Sequence, residues 1–506
     1  MTSEDNTTIY VASAGTGKTT TLLNLLSEHL ETTKPSRICF TTFTKAGSQE
    51  AVDRALEKTK FDEKEFTAFS TLHALCFRRI PRKQMLNIQD YKLLGELTGY
   101  TITGMSTLYD YIDKGTVTIC KGDKLLQYNS LMRNMQQSAA EALTHQVNTK
   151  FTPEELEEFS DFYTKFKKEK NKYDFTDQLE VFVEQGTPIG VDYLFVDEAQ
   201  DLSPLQWKVV DQISKEVKQV YIAGDDKQSI YKFSGGDPKS LINRKGNRIV
   251  LDTSYRLPQP ILEYAERITE RITEKQAYKV SSKDNNGAVH KIRTLDDLDL
   301  SEGTWFFLCR NKAILPLFEQ YLVKKQILFV SGGLNSLFSA KQIYYIKLWE
   351  RLRLGYKIKA SKLKELYREY LPTGKVVAKG SKNLIESMPD AEMFDKDNLI
   401  NNFGLRSTAK WNHVFKLPDT TKEILLKAEL ENKFDKATNI EVNTIHSSKG
   451  READNVVVLP DMTTTSYYAY QKDPDNEHRV FYVACTRAKQ TLYLHTPVTN
   501  RFYNLP

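Results

Sequence analysis

Cysteine is scarce and scattered: Cys39, Cys76, Cys120, Cys309 and Cys485 are odd in number, widely separated and include no CxxC pair. That excludes a disulfide framework and a cysteine-based zinc site, and it fits a reducing compartment. Long apolar runs are missing too, since no stretch approaches the ~18 uninterrupted apolar residues of a membrane-crossing helix. Met1 to Thr8 is polar and lacks the charged-then-apolar order of an export signal. A cytoplasmic location with no membrane partner is therefore expected. There is no internal repeat and no strong low-complexity tract. Charge of one sign is also in short supply: 71 basic and 66 acidic residues leave a formal net charge of only +5. So mild an average field offers polyanions little, and any nucleic-acid contact must come from local patches. One such patch is the run Lys165, Lys167, Lys168, Lys170 and Lys172 on a helical pattern, where a solvated helix face and a DNA contact fit equally well.

What is present describes a folded, multi-domain chain. At 506 residues, 40% hydrophobic and 27% charged, it exceeds what one core can organise. Buried-type strands are expected at Thr8 to Ser13, Ile38 to Thr42, Tyr193 to Asp197, Val220 to Ala223 and Arg248 to Leu251. A second set is expected at Thr304 to Leu308, Ile327 to Val330, Val442 to Thr444, Asn455 to Leu459 and Thr491 to His495. Helical patterns separate them, and that alternation indicates parallel sheets with crossover helices. Two stretches break the alternation with charge-rich helical periodicity and read as insertions. The fold class is thus α/β with α-helical insertions.

Two motifs carry chemistry. Ala12-Ser13-Ala14-Gly15-Thr16-Gly17-Lys18-Thr19 matches a phosphate-binding Walker A loop, with Ala12 in place of the usual first glycine. It follows a strand and opens a helix, so its backbone N–H groups and the positive helix end face one point. Lys18 would hold the β- and γ-phosphates, Thr19 would ligate Mg²⁺, and Ala14, Gly15, Thr16, Gly17 and Thr20 would complete the cradle. The second motif, Asp197-Glu198-Ala199-Gln200-Asp201, ends a buried strand where open α/β sheets bind ligands. Asp197 would hold Mg²⁺ with Thr19, and Glu198 would orient or deprotonate the attacking water.

Asp197 to Asp201 resembles motif II of the UvrD/Rep-like superfamily 1 DNA helicases, and further matches follow in the same order. Thr41-Thr42-Phe43-Thr44-Lys45-Ala46 resembles motif Ia, Ser70-Thr71-Leu72-His73 motif Ib, and Gly224 to Tyr231 motif III. Leu251 to Arg256 resembles motif IV, Thr444 to Glu452 motif V, and Phe481 to Ala488 motif VI. The resemblance implies two RecA-like parallel-sheet lobes. The first comprises residues 1–85 and 173–250, interrupted by a helical insertion at 86–172. The second comprises 251–343 and 432–506, interrupted by a short insertion at 344–431.

It also implies roles. Arg256 and Arg487 would approach the γ-phosphate from the side opposite the loop, Gln228 would sense that phosphate, Tyr255 would stack on adenine, and Gly450 and Glu452 would meet the nucleotide. A packed core position is the competing account for Tyr255. Thr42, Phe43, His73, Tyr231, Phe233, Arg310, Thr444 and His446 correspond to DNA-contacting positions, and Arg501-Phe502-Tyr503 lies where the family places a strand-separating aromatic. The implied activity is ATP- and Mg²⁺-dependent movement along single-stranded DNA, 3′ to 5′, with separation of duplex at single-strand/double-strand junctions. A monomer working with repair or replication proteins is the expected context. Two rival functions stay open: a translocase that displaces bound proteins with little unwinding, and a nucleotide-gated DNA-binding module.

Overall fold

A computed structural model describes residues 6–103, 120–144, 151–332, 340–430 and 439–506. The first six strands are β1 (Thr7–Ala12), β2 (Ile38–Thr41), β3 (Phe69–Ser70), β4 (Tyr193–Val196), β5 (Gln219–Gly224) and β6 (Asn247–Leu251). They form one parallel sheet in the order β3-β2-β4-β5-β1-β6. The inner strands read as short apolar runs, without alternation, because both faces are covered. Leu22, Leu26, Phe40 and Phe195 pack on one face, and Leu75, Leu179, Leu194, Val209 and Val220 on the other. Since the strands are parallel and β5 lies between β1 and β4, the turns after all three open on the same edge of the sheet. Helix α1 (Lys18–Leu30) leaves β1 through one of those turns.

The insertion expected at 86–172 is helical where described: Ile88–Thr98, Lys121–Met135, Ala139–Thr144 and Pro153–Lys170. It has its own core, with Leu94, Leu125, Tyr128, Phe159 and Phe166 among its members. Its lysine run is divided. Lys167 is buried and pairs with Asp174 and Asp177 at 2.8 and 2.6 Å, Lys172 pairs with Asp90 at 2.7 Å, and Lys165, Lys168 and Lys170 are exposed. Two of the five charges are thus structural.

A second six-stranded sheet comprises β7 (Ala288–Ile292), β8 (Trp305–Cys309), β9 (Val330–Ser331), β10 (Ile440–Thr444), β11 (Ala453–Leu459) and β12 (Ala488–His495). Parallel pairing joins β7 to β12, β12 to β11, and β9 to β10. Two parallel sheets, each accompanied by helices, are the RecA-like pair expected. The third strand of this set is displaced from the expected Ile327 to Val330. Residues 325–327 are spent on capping the preceding helix, with Gln326 in the left-handed region at φ 55° and the Ile327 N–H bonded to the Leu322 carbonyl at 2.9 Å. β7 was not anticipated, because His290 and Lys291 break its apolar pattern.

The chain divides into two compact units. The first contains Met1–Thr294, Leu308–Ala313 and Ile445–Pro506, and the second contains Leu295–Phe307 and Ile314–Thr444. The second unit has a core in which Trp349, Tyr367 and Trp411 are fully buried and Tyr345 stacks on Tyr370 with ring centroids 4.8 Å apart. It also carries a short antiparallel pair, Ile358–Lys359 with Met393–Phe394. Among the described residues, no helix is long and apolar enough to cross a membrane.

Candidate nucleotide and nucleic-acid site

The turn after β1 is shaped by two glycines. Gly15 and Gly17 have φ of +75° and +83°, where an L side chain is strained. A Cβ on Gly15 would also lie 2.7 Å from Arg256 Cβ and 2.8 Å from Ser254 Oγ, so glycine is required there on two counts. Thr16 donates its hydroxyl to the Ser13 carbonyl at 3.0 Å and closes the turn. Lys18 opens α1 and is buried. The Thr19 hydroxyl donates to Asp197 Oδ2 at 2.6 Å, which joins the first turn of α1 to the end of β4. Mg²⁺ takes oxygen ligands and fills its sphere with waters and substrate phosphates, so this hydroxyl and carboxylate fit it. No group of three or more His, Cys, Asp or Glu side chains suited to an all-protein metal cage occurs among the described residues.

The two carboxylates at the end of β4 are buried and pushed apart in acidity. Burial, and then the neighbouring Glu198 charge, raise Asp197 to about 6. Burial works in the same direction on Glu198, but Lys18, Lys449, the Gln200 amide and Arg487 outweigh it and hold Glu198 down at about 2. Glu198 is therefore held firmly ionised, facing the cations around it. It sits in the left-handed region at φ 53°, and its backbone N–H donates to Asp197 Oδ1 at 2.9 Å.

Helix α2 (Pro474–Cys485) delivers motif VI. Arg487 follows it and is 1% exposed. Its Nε donates to the Val483 carbonyl at 3.0 Å, Nη1 to the Arg451 carbonyl at 3.2 Å and Nη2 to Gln228 Oε1 at 3.1 Å. Burial and the nearby Arg256 lower its pKa to about 9, which leaves it cationic at neutral pH. Gln228 is held from its other end by Nε2 donating to Asp225 Oδ2 at 2.6 Å. Arg256 donates to Glu452 at 3.3 Å and to the Thr486 carbonyl at 3.2 Å, while its buried Nε has no protein partner, a donor left for an anion.

Tyr255 is 67% exposed, with the Lys283 ammonium 4.7 Å above its ring and its N–H bonded to the Gly15 carbonyl at 2.9 Å. The core-packing account does not apply to it. Gly450 adopts φ +79° next to Lys449, and Glu452 is partly exposed.

Several residues at the site had not been singled out. The Tyr482 hydroxyl lies 2.7 Å from Ser13 Oγ and accepts the Ala14 N–H at 3.3 Å, so α2 touches the phosphate loop directly. Ser254 donates to the Ala14 carbonyl at 3.1 Å, and the Tyr278 hydroxyl to the Ala12 carbonyl at 2.5 Å. Tyr482 stands inside a motif and could have been noticed; Tyr278 carries no sequence signal.

The aromatic residues expected on a DNA path are brought together in part. Phe43 stacks on Tyr231 with centroids 4.9 Å apart at 13°, and Phe233 lies 5.8 Å from Tyr231 and 5.7 Å from His446. Burial, then the charges of Arg310 and Lys449, keep His446 neutral, and its Nε2 has no hydrogen-bond partner. Thr42 is buried beside Phe43 in sequence. His73, lowered to about 4 by burial, makes its ring contact with the 70% exposed Phe175 at 6.2 Å. Thr444 ends β10 in the second unit and is buried.

Two expected DNA contacts are corrected by their packing. Arg310 is buried and gives Nε and Nη2 to the Glu477 carboxylate at 2.7 and 2.8 Å, so its fork is occupied by α2. Tyr503 has no exposed surface; its ring stacks on Phe481 at 4.1 Å and 7°, and its hydroxyl lies 2.7 Å from His478 Nδ1. It is a strut behind α2 and not a strand-separating aromatic. Tyr503→Ala should therefore destabilise the fold by ~3–5 kcal/mol, as for other large buried rings. A denaturation midpoint equal to wild type, with unwinding alone impaired, would restore the strand-separating role.

Residues 1–248 match the UvrD/REP helicase N-terminal domain, and residues 382–498 match the UvrD-like helicase C-terminal domain. The ATP-dependent DNA helicase PcrA of Staphylococcus aureus is 22% identical over 58% of this chain, and the chain spans 42% of that protein's length. A probable DNA helicase II homolog of Mycoplasma genitalium is 22% identical over 96% of this chain and 82% of its own length. A solved structure of the PRRSV helicase aligns over 99% of this chain and 55% of that one with a TM-score of 0.34 and 10% identity, a likeness that bears on neither fold nor activity. The two domain matches together take in most of the chain and all the motifs except Leu251 to Arg256, and the chain belongs to the UvrD/Rep-like superfamily 1 helicases.

Proposed function

We propose that this chain is an ATP-dependent DNA helicase that advances 3′ to 5′ on single-stranded DNA and opens duplex at single-strand/double-strand junctions. The observation that carries the reading is the convergence of Lys18, Thr19, Asp197 and Glu198 with Gln228 and Arg487 in one site. Lys18 and the α1 amino end neutralise the β- and γ-phosphates. Thr19 and Asp197 would hold Mg²⁺, which would supply neutralisation of phosphate charge. Glu198 takes the proton of the attacking water, and Arg487 and Arg256 meet the charge that develops on the γ-phosphoryl oxygens.

Movement follows from differential binding: an intact γ-phosphate favours the arrangement in which Arg487 and Gln228 close on it, and hydrolysis removes that preference. The rings of Phe43, Tyr231 and Phe233 offer bases a stacking platform that ignores sequence. A monomer acting with repair or replication proteins in the cytoplasm is the setting proposed.

The burial of Tyr503 favours a second reading, a translocase that displaces bound proteins with little unwinding, because the expected strand-separating ring is spent on packing. Fluorescent duplexes with a 3′ or a 5′ tail decide between them. Strand separation on the 3′-tailed substrate supports the helicase. ATP turnover on both substrates without separation supports the translocase.

A further inference from the structure

Behind the phosphate site lies a closed circuit of buried polar groups, in which Gln200, Asp201, Asp225 and Lys449 have no role in the catalytic reading. Gln200 is its hub and is fully buried. The Gln200 amide N–H donates to Glu198 Oε2 and, at 3.3 Å, to Asp201 Oδ2, while its carbonyl accepts the Asp225 N–H at 3.0 Å. Asp225 in turn accepts from the Gln228 side chain at 2.6 Å. The circuit is closed by Lys449, whose ammonium binds the Asp201 carboxylate and donates to the Gln228 backbone carbonyl at 2.7 Å. That ammonium also lies 4.8 Å from the centre of the Tyr231 ring. An ammonium has three donors, so with two of them engaged its remaining face meets the π-cloud.

Each end of this arrangement bears on a different ligand. Glu198 and the Gln228 side chain belong to the hydrolysis site, and the Gln228 side chain is gripped by Arg487. Tyr231 belongs to the stacked rings with Phe43. Lys449 is the one side chain of the circuit that touches both the Gln228 backbone and the Tyr231 ring. A shift of Gln228 as the γ-phosphate is lost must move the carbonyl that Lys449 holds. The ammonium is pinned on its other side by Asp201, and the pair is 7% and 1% exposed, so water cannot absorb the shift. We infer that Lys449 is a positioning residue through which the nucleotide site and the DNA-stacking rings set one another's affinity. The inference rests on the helicase reading and names the link that reading leaves unassigned.

The test is thermodynamic linkage. Anisotropy of a labelled oligo(dT) gives its Kd without nucleotide and with a non-hydrolysable ATP analogue, and coupled sites differ between the two conditions by on the order of 5–150-fold. In Lys449→Met the ratio should fall toward 1 while the protein still binds each ligand alone. Because that variant leaves the buried Asp201 unpaired, the pair Asp201→Asn with Lys449→Met keeps the shape without the charges and should give the same collapse. Lys449→Arg retains the ion pair and should restore part of the ratio. A full ratio in the neutral pair overturns the inference and leaves the helicase reading standing. A wild type whose ratio is already 1 overturns both.

Discussion

Arg487→Ala should lower DNA-stimulated ATP turnover by ~10³-fold or more, the low end of what a cation on the transferred phosphoryl group contributes. The expectation comes from how the guanidinium is held. Two carbonyls, of Val483 and Arg451, fix its plane, and Nη2 reaches the Gln228 amide at 3.1 Å. A charge kept 1% exposed next to another arginine is costly to bury, and a phosphate offsets that cost. Lysine should not substitute, since a single point charge cannot keep the two carbonyl bonds and also meet the phosphate. Steady-state turnover with saturating oligo(dT) reads the effect, and the DNA Kd should stay within a few-fold of wild type. A loss below tenfold would remove Arg487 from the reaction.

Glu198→Gln should cost ~10²–10⁴-fold in the same turnover, the range of a positioned general base. The reasoning is electrostatic. Lys18, Lys449 and Arg487 overcome the burial of Glu198 and keep it ionised, whereas Asp197 beside it is raised. The amide keeps the size and the hydrogen bond to Gln200 but cannot take the proton of water. Nucleotide binding should survive, because Lys18, Thr19 and the loop N–H groups are untouched. Fluorescent-nucleotide affinity measured beside the turnover separates the two effects. Equal losses in binding and turnover would make Glu198 a structural residue. Lys18→Ala is the complementary case, in which turnover falls because phosphate binding is lost.

Much of this was legible in the chain before any coordinates. Buried parallel strands have no polar face to present, so Val220 to Ala223 or Tyr193 to Val196 stand out as apolar runs, and the turns that follow them carry Gln228 and Asp197. The chemistry at those turns needs particular residue types at fixed spacing and is readable for that reason. Less legible was whatever depends on partners far along the chain. Nothing near Arg310 announces Glu477, 167 residues on, as the carboxylate that occupies its fork. Nothing near Tyr503 announces Phe481, and a position at the end of the motif order suggested a surface role for a core ring. Edge strand β7 escaped because solvent contact lets His290 and Lys291 stand in it. Lys449 could be read as part of a motif, but its place between Asp201, Gln228 and Tyr231 exists only once three separate turns meet.

The most direct test of one site joining phosphate loop, carboxylates and arginines to a DNA track is the rate of Mg²⁺-ATP hydrolysis by the wild-type chain with and without oligo(dT). The account predicts a low rate alone, a large rise with the oligonucleotide, and no rise in Arg487→Ala. Hydrolysis at the same rate in both conditions, or a rise undiminished in Arg487→Ala, would contradict it.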